Sequence, residues 1–372
     1  MEDPLVNIDN SSNKKVMIWR VISLLLFIFL VTVAVLYVLG IGWKEEKSSG
    51  NYESELTLWN ENSAIYKKLV PYIKNIKDES SPDFIPVEDR IAVFDLDGTL
   101  FCETDPIYFD WNMFTYRVLN DSSYTAEKQD IDLANDIRAA DIHHLPDNIE
   151  ERHSRRNPYV FKGMSMEEYV EYTKKFLDQE APGYTNMKRG DAFYKPMLEV
   201  VNYLQKNDFT VFIVSGTDRF EVRTIVNGKV NIPESQIIGS VSTVKASGQG
   251  ENDGLHYQFQ KDDYVILGGG FIIKNVKMNK VNTMTTEIGK KPVLSFGNSS
   301  GDTSMANFVV NNNKYKSLAF QLCCDDLERE NGNIEKAETM KKLCKDNNWE
   351  AISMKNDWKT IYGYDVKRKL SQ

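Results

Sequence analysis

Three mostly apolar runs limit what this chain can fold into, because each ends in the same kind of polar cluster. They are "RIAVFDLDGTLF" (90–101), "FTVFIVSGT" (209–217) and "KPVLSFGNSSGD" (291–302). A strand covered on both faces shows no polar alternation, and these runs show none. "KSLAF" (316–320) reads as a fourth strand. Helical patterns lie between them, such as "KPMLEVVNYLQKN", with Pro196 suited to a first helical turn. Buried strands alternating with helices predict an α/β chain: a Rossmann-like three-layer core around a mainly parallel sheet. In such sheets ligands bind beyond the carboxyl ends of the strands. The clusters Asp95-Leu96-Asp97, Ser215-Gly216-Thr217 and Gly297-Asn298 through Asp302 would therefore form one site from separate loops.

The first two strands are too far apart for a simple crossover. Residues 101–189 are rich in aromatic and charged side chains and hold helical stretches such as "MSMEEYVEYTKKFL". They read as a helical cap domain inserted after the first strand, with the catalytic core formed by 55–100 and 190–372. Leu56, Trp59, Ile65 and Leu69 have helical spacing before Pro71 and suggest a leading helix. Short strand-like pieces flank the Gly-rich turn "KASGQGENDG" between Ile237 and Phe271.

Val21–Ile41 carries no charge and is long enough to cross the roughly 30 Å hydrocarbon core as a single helix. It reads as an uncleaved N-terminal transmembrane anchor, after a cytoplasmic tail (1–20) and before a polar linker (42–54). Lys14, Lys15 and Arg20 precede it and Lys44 and Lys47 follow it, a slight bias that places the catalytic domain outside the cytoplasm. The membrane is then a partner through this anchor. The net charge of −9 excludes a general nucleic-acid binder, which would show a basic face. Four cysteines without CxxC or Cys/His spacing imply neither a zinc site nor a disulfide framework. Nothing in the sequence sets an oligomeric partner.

The pair Asp95 and Asp97 suggests phosphoryl transfer. A carboxylate mounted on a rigid strand end can attack phosphorus and form an aspartyl-phosphate. A second carboxyl two residues on can protonate the leaving alcohol and then activate water. Gly98 allows the tight turn, and Thr99 can tie it with its hydroxyl beside the substrate. Two carboxylates this close repel, and Mg²⁺ relieves that repulsion because it prefers oxygen ligands and contacts phosphate.

"FDLDGTL" resembles the first motif of the haloacid-dehalogenase-like superfamily, in its phosphoserine-phosphatase-like phosphatase branch. "FIVSGT" resembles the second motif, "MNKVNTM" the third and "SFGNSSGDTSM" the fourth, in the family's order. The resemblance implies that Ser215 hydrogen-bonds a phosphoryl oxygen, with Gly216 and Thr217 beside the substrate. It implies that Lys280 neutralises the transferring group, in preference to Lys274, Lys277 or Lys290. It assigns Asp95, Asp97, Asn298 and Asp302 as metal ligands. Many relatives carry Gly-Asp where this chain has Gly297-Asn298, so one ligand is uncharged here. Relatives that dehalogenate lack the second aspartate.

The expected activity is Mg²⁺-dependent hydrolysis of a small phosphomonoester. A surface-anchored phosphate-binding module without turnover and a phosphotransferase are the alternatives. Phosphoserine-phosphatase-like relatives hold a substrate ammonium with an acid soon after the first motif. Glu103 and Asp105 lie near that place, and Tyr108, Phe109 and Trp111 offer a cation–π surface. An amine phosphate such as phosphoserine or phosphocholine is the class this implies. "ERHSRRNP" reads as a solvated basic loop, and His143 and His144 as ordinary residues.

Overall fold

The computed structural model describes residues 19–21, 23–27, 31 and 56–369. The chain divides into two units, Met1–Asn51 and Tyr52–Gln372. In the first, the described residues are helical. Most of Val21–Ile41 lies outside the described residues, as does the linker over 42–54. Among the described residues no helix is long and apolar enough to cross a membrane.

The second unit is built on a seven-stranded sheet. In chain order its strands are β1 (Ile91–Phe94), β3 (Thr210–Asp218), β4 (Ile237–Ala246), β5 (Val265–Ile273), β6 (Leu294–Gly297), β7 (Leu318–Cys323) and β8 (Glu350–Ser353). Two short strands, β2 (Tyr184–Thr185) and β9 (Lys367–Arg368), pair separately. The spatial order is β5-β4-β3-β1-β6-β7-β8, with every neighbour parallel except β4 and β5. The strand-like pieces around the Gly-rich turn are thus an antiparallel hairpin at one edge.

β1 is buried at all four positions, which explains its unbroken apolar run. It lies between β3 and β6, so the chain leaves it toward one side and later returns on the other. That reversal opens a crevice beyond the carboxyl ends of β3, β1 and β6. Phe94 of β1 stacks on Phe296 of β6 at 4.2 Å, and Phe296 on Phe320 of β7 at 4.9 Å. The stack runs across three strands and fixes their register beneath the crevice.

Between β1 and the helix Lys195–Lys206 that leads into β3, the chain folds mainly into four helices: Phe109–Leu119, Lys128–Ala139, Ile149–Val160 and Met166–Leu177. The last begins with a capping box, in which Ser165 and Glu168 satisfy each other's backbone N–H groups. "ERHSRRNP" is not a loop but part of the helix Ile149–Val160, with Pro158 in its final turn. Its arginines pair locally: Arg152 with Asp136, Arg155 with Glu151 and Arg156 with Asp130. Buried apolar residues of the insert and of the sheet form one continuous cluster.

The leading helix differs from its expected course. A π-helical turn, Ile65–Leu69, runs into an α-helix, Val70–Lys77, with Pro71 in the first turn. Pro71 has no N–H to donate to the π turn that precedes it, and the wider turn leaves room for its ring. Just ahead of it Trp59 is buried, donates to the Pro196 carbonyl at 2.9 Å and meets Trp358 edge-on. All four cysteines are free thiols.

Candidate active site

Asp95 follows β1 directly, and its N–H donates to the Phe296 carbonyl at 2.9 Å, extending the β1–β6 ladder by one bond. This fixes the carboxylate at the crevice floor. Gly98 then takes φ +74°, a conformation open to glycine, and its N–H donates to the Phe101 carbonyl at 2.7 Å. A Cβ at Gly98 would lie 1.9 Å from Asn298 Nδ2 and 2.6 Å from Glu103 Cδ. Gly98→Ala is therefore expected to cost about 1–3 kcal/mol in strain and to displace both neighbours. Urea unfolding and phosphate-release assays test this; wild-type stability with wild-type turnover would contradict it.

Lys280, in the helix Met278–Thr283, is 2 % exposed and spans two carboxylates. Its ammonium lies 2.5 Å from Asp95 Oδ1 and 2.7 Å from Asp302 Oδ1. Of the four lysines considered from sequence, this one reaches Asp95. Lys290 pairs with Asp89 on the outside. Asp302 Oδ2 accepts from the N–H groups of Asn298 and Ser299, at 3.1 and 3.0 Å, and so shapes the loop after β6.

The β3 end supplies the third wall. Thr217 donates through Oγ1 to Asp97 Oδ2 at 2.8 Å, and its N–H donates to Ser215 Oγ at 3.0 Å. The Ser215 hydroxyl hydrogen is thereby left for another acceptor. Asn275, not anticipated from sequence, braces this turn by donating to the Ser215 carbonyl at 3.0 Å. Gly216 lies in the same turn, its carbonyl accepting from Ser240 Oγ at 2.5 Å.

Thr99 donates to Asn298 Oδ1 at 3.2 Å, and Asn298 Nδ2 donates to Glu103 Oε1 at 3.0 Å. The structure thus gathers Asp95, Asp97, Thr99, Glu103, Ser215, Gly216, Thr217, Lys280, Asn298 and Asp302 around the strand ends. Asp105 points elsewhere and accepts from the Gly183 N–H at 2.7 Å. Phe109 and Trp111 are buried in the insert, against Phe101 and Phe176 in one case and His153 in the other.

Acids outnumber cations here. Burial, with Asp302 as the strongest like charge, pushes Asp95 up to about 7. Burial and the nearby Asp110 push Asp97 up to about 7. Glu103 is pushed up to about 8 by burial and by Asp97 and Asp95. Among the described residues no three His, Cys, Asp or Glu side chains are already gathered as metal ligands. Asp302 has both oxygens committed to N–H donors, which sets it behind the site. Asp95 and Asp97 each keep one carboxylate oxygen without a hydrogen bond among the described residues. An all-oxygen donor set with excess negative charge fits a hard divalent cation.

The crevice thus holds a lysine-bridged acid pair on one side and a second acid on the other, at the strand ends of an α/β sheet. Residues 92–256 match the model of the haloacid dehalogenase-like hydrolase family. No curated protein sequence matches the chain. Solved structures similar to it include a conserved protein of unknown function from Anaerococcus prevotii DSM 20548. That likeness has 14% identity and a TM-score of 0.47, over 77% of this chain and 91% of the other. Cytosolic 5'-nucleotidase IIIB bound to cytidine is similar at 12% identity and a TM-score of 0.45, over 79% and 86%. A phosphoserine phosphohydrolase-like protein from Francisella tularensis subsp. tularensis SCHU S4 is similar at 12% identity and a TM-score of 0.36, over 68% and 92%.

Proposed function

We propose that this chain is a phosphomonoesterase acting through a phosphoryl group carried on Asp95. The observation that carries this reading is the Lys280 ammonium held between Asp95 and Asp302, opposite an Asp97 fixed by Thr217. An oxygen of Asp95 attacks phosphorus as the ester P–O bond breaks. Asp97 gives its proton to the departing oxygen; a carboxyl pushed up to about 7 still carries that proton in part of the molecules at neutral pH. The Asp97 carboxylate then takes a proton from the water that attacks the aspartyl-phosphate, which frees inorganic phosphate and restores Asp95. Ser215 donates its free hydroxyl hydrogen to a phosphoryl oxygen, and Lys280 balances the charge that gathers there.

Mg²⁺, held by Asp95, Asp97 and Asn298 with Asp302 fixing the loop behind them, would supply further positive charge to the phosphoryl oxygens. The full-length chain should release phosphate from p-nitrophenyl phosphate with Mg²⁺ and stop when the metal is chelated. Equal turnover with and without metal would defeat the metal assignment, and no turnover would favour a phosphate-binding module.

A further inference from the structure

Lys280 reaches Asp95 from far across the sheet. Its helix, Met278–Thr283, follows β5, an edge strand separated from β1 by β4 and β3. Asp95 and Ser215 sit at the ends of the parallel strands β1 and β3, whereas β5 runs antiparallel to its neighbour. The sheet ladder therefore places the two oxygen groups, and something else has to place the lysine helix against them.

Asn275, fully buried in the loop between β5 and that helix, meets this need. Its N–H donates to Ser240 Oγ at 2.9 Å, and Ser240 Oγ donates to the Gly216 carbonyl at 2.5 Å. Its Nδ2 donates to the Ser215 carbonyl at 3.0 Å, and its Oδ1 accepts from Thr283 Oγ1 at 2.8 Å. A carbonyl can only accept, so the amide has one possible orientation. Thr283 lies one turn after Lys280 on the same helix. The carbonyls of Asn279 and Lys280 are farther from its hydroxyl, each at 3.1 Å, so the hydroxyl hydrogen goes to the amide.

One buried side chain thus ties the turn that carries Ser215 to the helix that carries Lys280. The residues after it are pinned as well. The Lys277 N–H donates to the Gly301 carbonyl at 2.8 Å, in the loop after β6. Lys277 holds φ +54°, a conformation uncommon outside glycine that persists where the surroundings dictate it.

Lys280 is itself fixed by Asp95 and Asp302, so the end that a broken link would release is the Ser215 turn. The Ser215 hydroxyl has to meet a phosphoryl oxygen while Lys280 meets its charge. The gap between them must then match one phosphoryl group.

We propose that Asn275 and Thr283 are positioning residues, a buried strut that sets the gap between the Ser215 hydroxyl and the Lys280 ammonium. This rests on the phosphomonoesterase reading and extends it to two side chains that touch no substrate. The strut acts on rate through Ser215, beyond what it adds to stability.

The test measures kcat/KM of the full-length protein for p-nitrophenyl phosphate with Mg²⁺. Thr283→Val cuts the strut at the helix and Asn275→Asp cuts it at Ser215, each with little change of shape. Each should lower kcat/KM by about ten- to a hundredfold, the scale on which a misplacement of about 1 Å is felt. Thr283→Ser, which keeps the hydroxyl, should restore most of the loss. In Ser215→Ala the hydroxyl being positioned is already gone, so each cut should cost at most about twofold there. A role in stability alone would lower the urea midpoint and give the same fold-loss in both backgrounds. Equal losses in the two backgrounds, wild-type kcat/KM in the single variants, or no recovery in Thr283→Ser overturns the strut and leaves the phosphatase reading standing. If one of the two cuts does not fold, the other carries the comparison. A wild-type protein that does not hydrolyse the ester overturns the phosphatase reading, and the strut's role falls with it.

Discussion

Asp95→Asn should lower phosphomonoester hydrolysis by about four orders of magnitude or more, the scale on which removal of a nucleophile is felt. The two side chains have nearly the same shape, but an amide does not displace an alkoxide from phosphorus. Folding should not suffer with activity. Asp95 is held up to about 7 by burial and by Asp302 and Asp97, so its ionised form weighs against the folded state at neutral pH. A neutral amide removes that repulsion, and Lys280 keeps Asp302 as a partner at 2.7 Å. The variant should therefore unfold at the same urea concentration as wild type at pH 7.5, or a higher one, while phosphate release is lost. Wild-type turnover would remove Asp95 from the mechanism. A large loss of stability would mean that its carboxylate is structural.

Lys280→Met should have the largest effect on stability. It leaves Asp95 and Asp302 buried without their shared counter-charge, a change that typically costs about 3–5 kcal/mol. The pH dependence follows from the sign of the shift. In the variant Asp95, already raised by burial and by Asp302, loses the lysine that lowers it and titrates further above its unfolded value of about 4. The folded state then binds protons that the unfolded state does not, so the penalty grows as pH rises and fades as pH falls toward 4. Urea midpoints at pH 7.5 and pH 5 should differ between variant and wild type by more at the higher pH. An equal or opposite difference would show that the lysine does not offset the buried acids.

Several strands were legible because burial on both faces writes a continuous apolar run. β1, β3, β6 and β7 all read this way. β8, "EAIS", is short and begins on a half-buried Glu350, and it carries no such signal. The helix Met166–Leu177 was legible in the stretch "MSMEEYVEYTKKFL", and the structure adds the Ser165 cap that starts it. The helix Ile149–Val160 was hidden by three arginines and by Pro158, which has no N–H to give the helix ladder. In the site, each residue within a contiguous motif was legible. Asn275 was not, because it acts from a loop after β5 through one backbone carbonyl.

On the proposed mechanism the phosphoryl group passes through Asp95. Asp97→Asn should slow the release of that group more than its arrival when the leaving group, as in p-nitrophenyl phosphate, needs little protonation. Acid quenching of this variant during turnover, followed by mass spectrometric peptide mapping, should find phosphate on the peptide that contains Asp95, sensitive to hydroxylamine as an acyl phosphate is. Turnover with phosphate on another residue, or with no phosphorylated peptide at any quench time, would contradict the account.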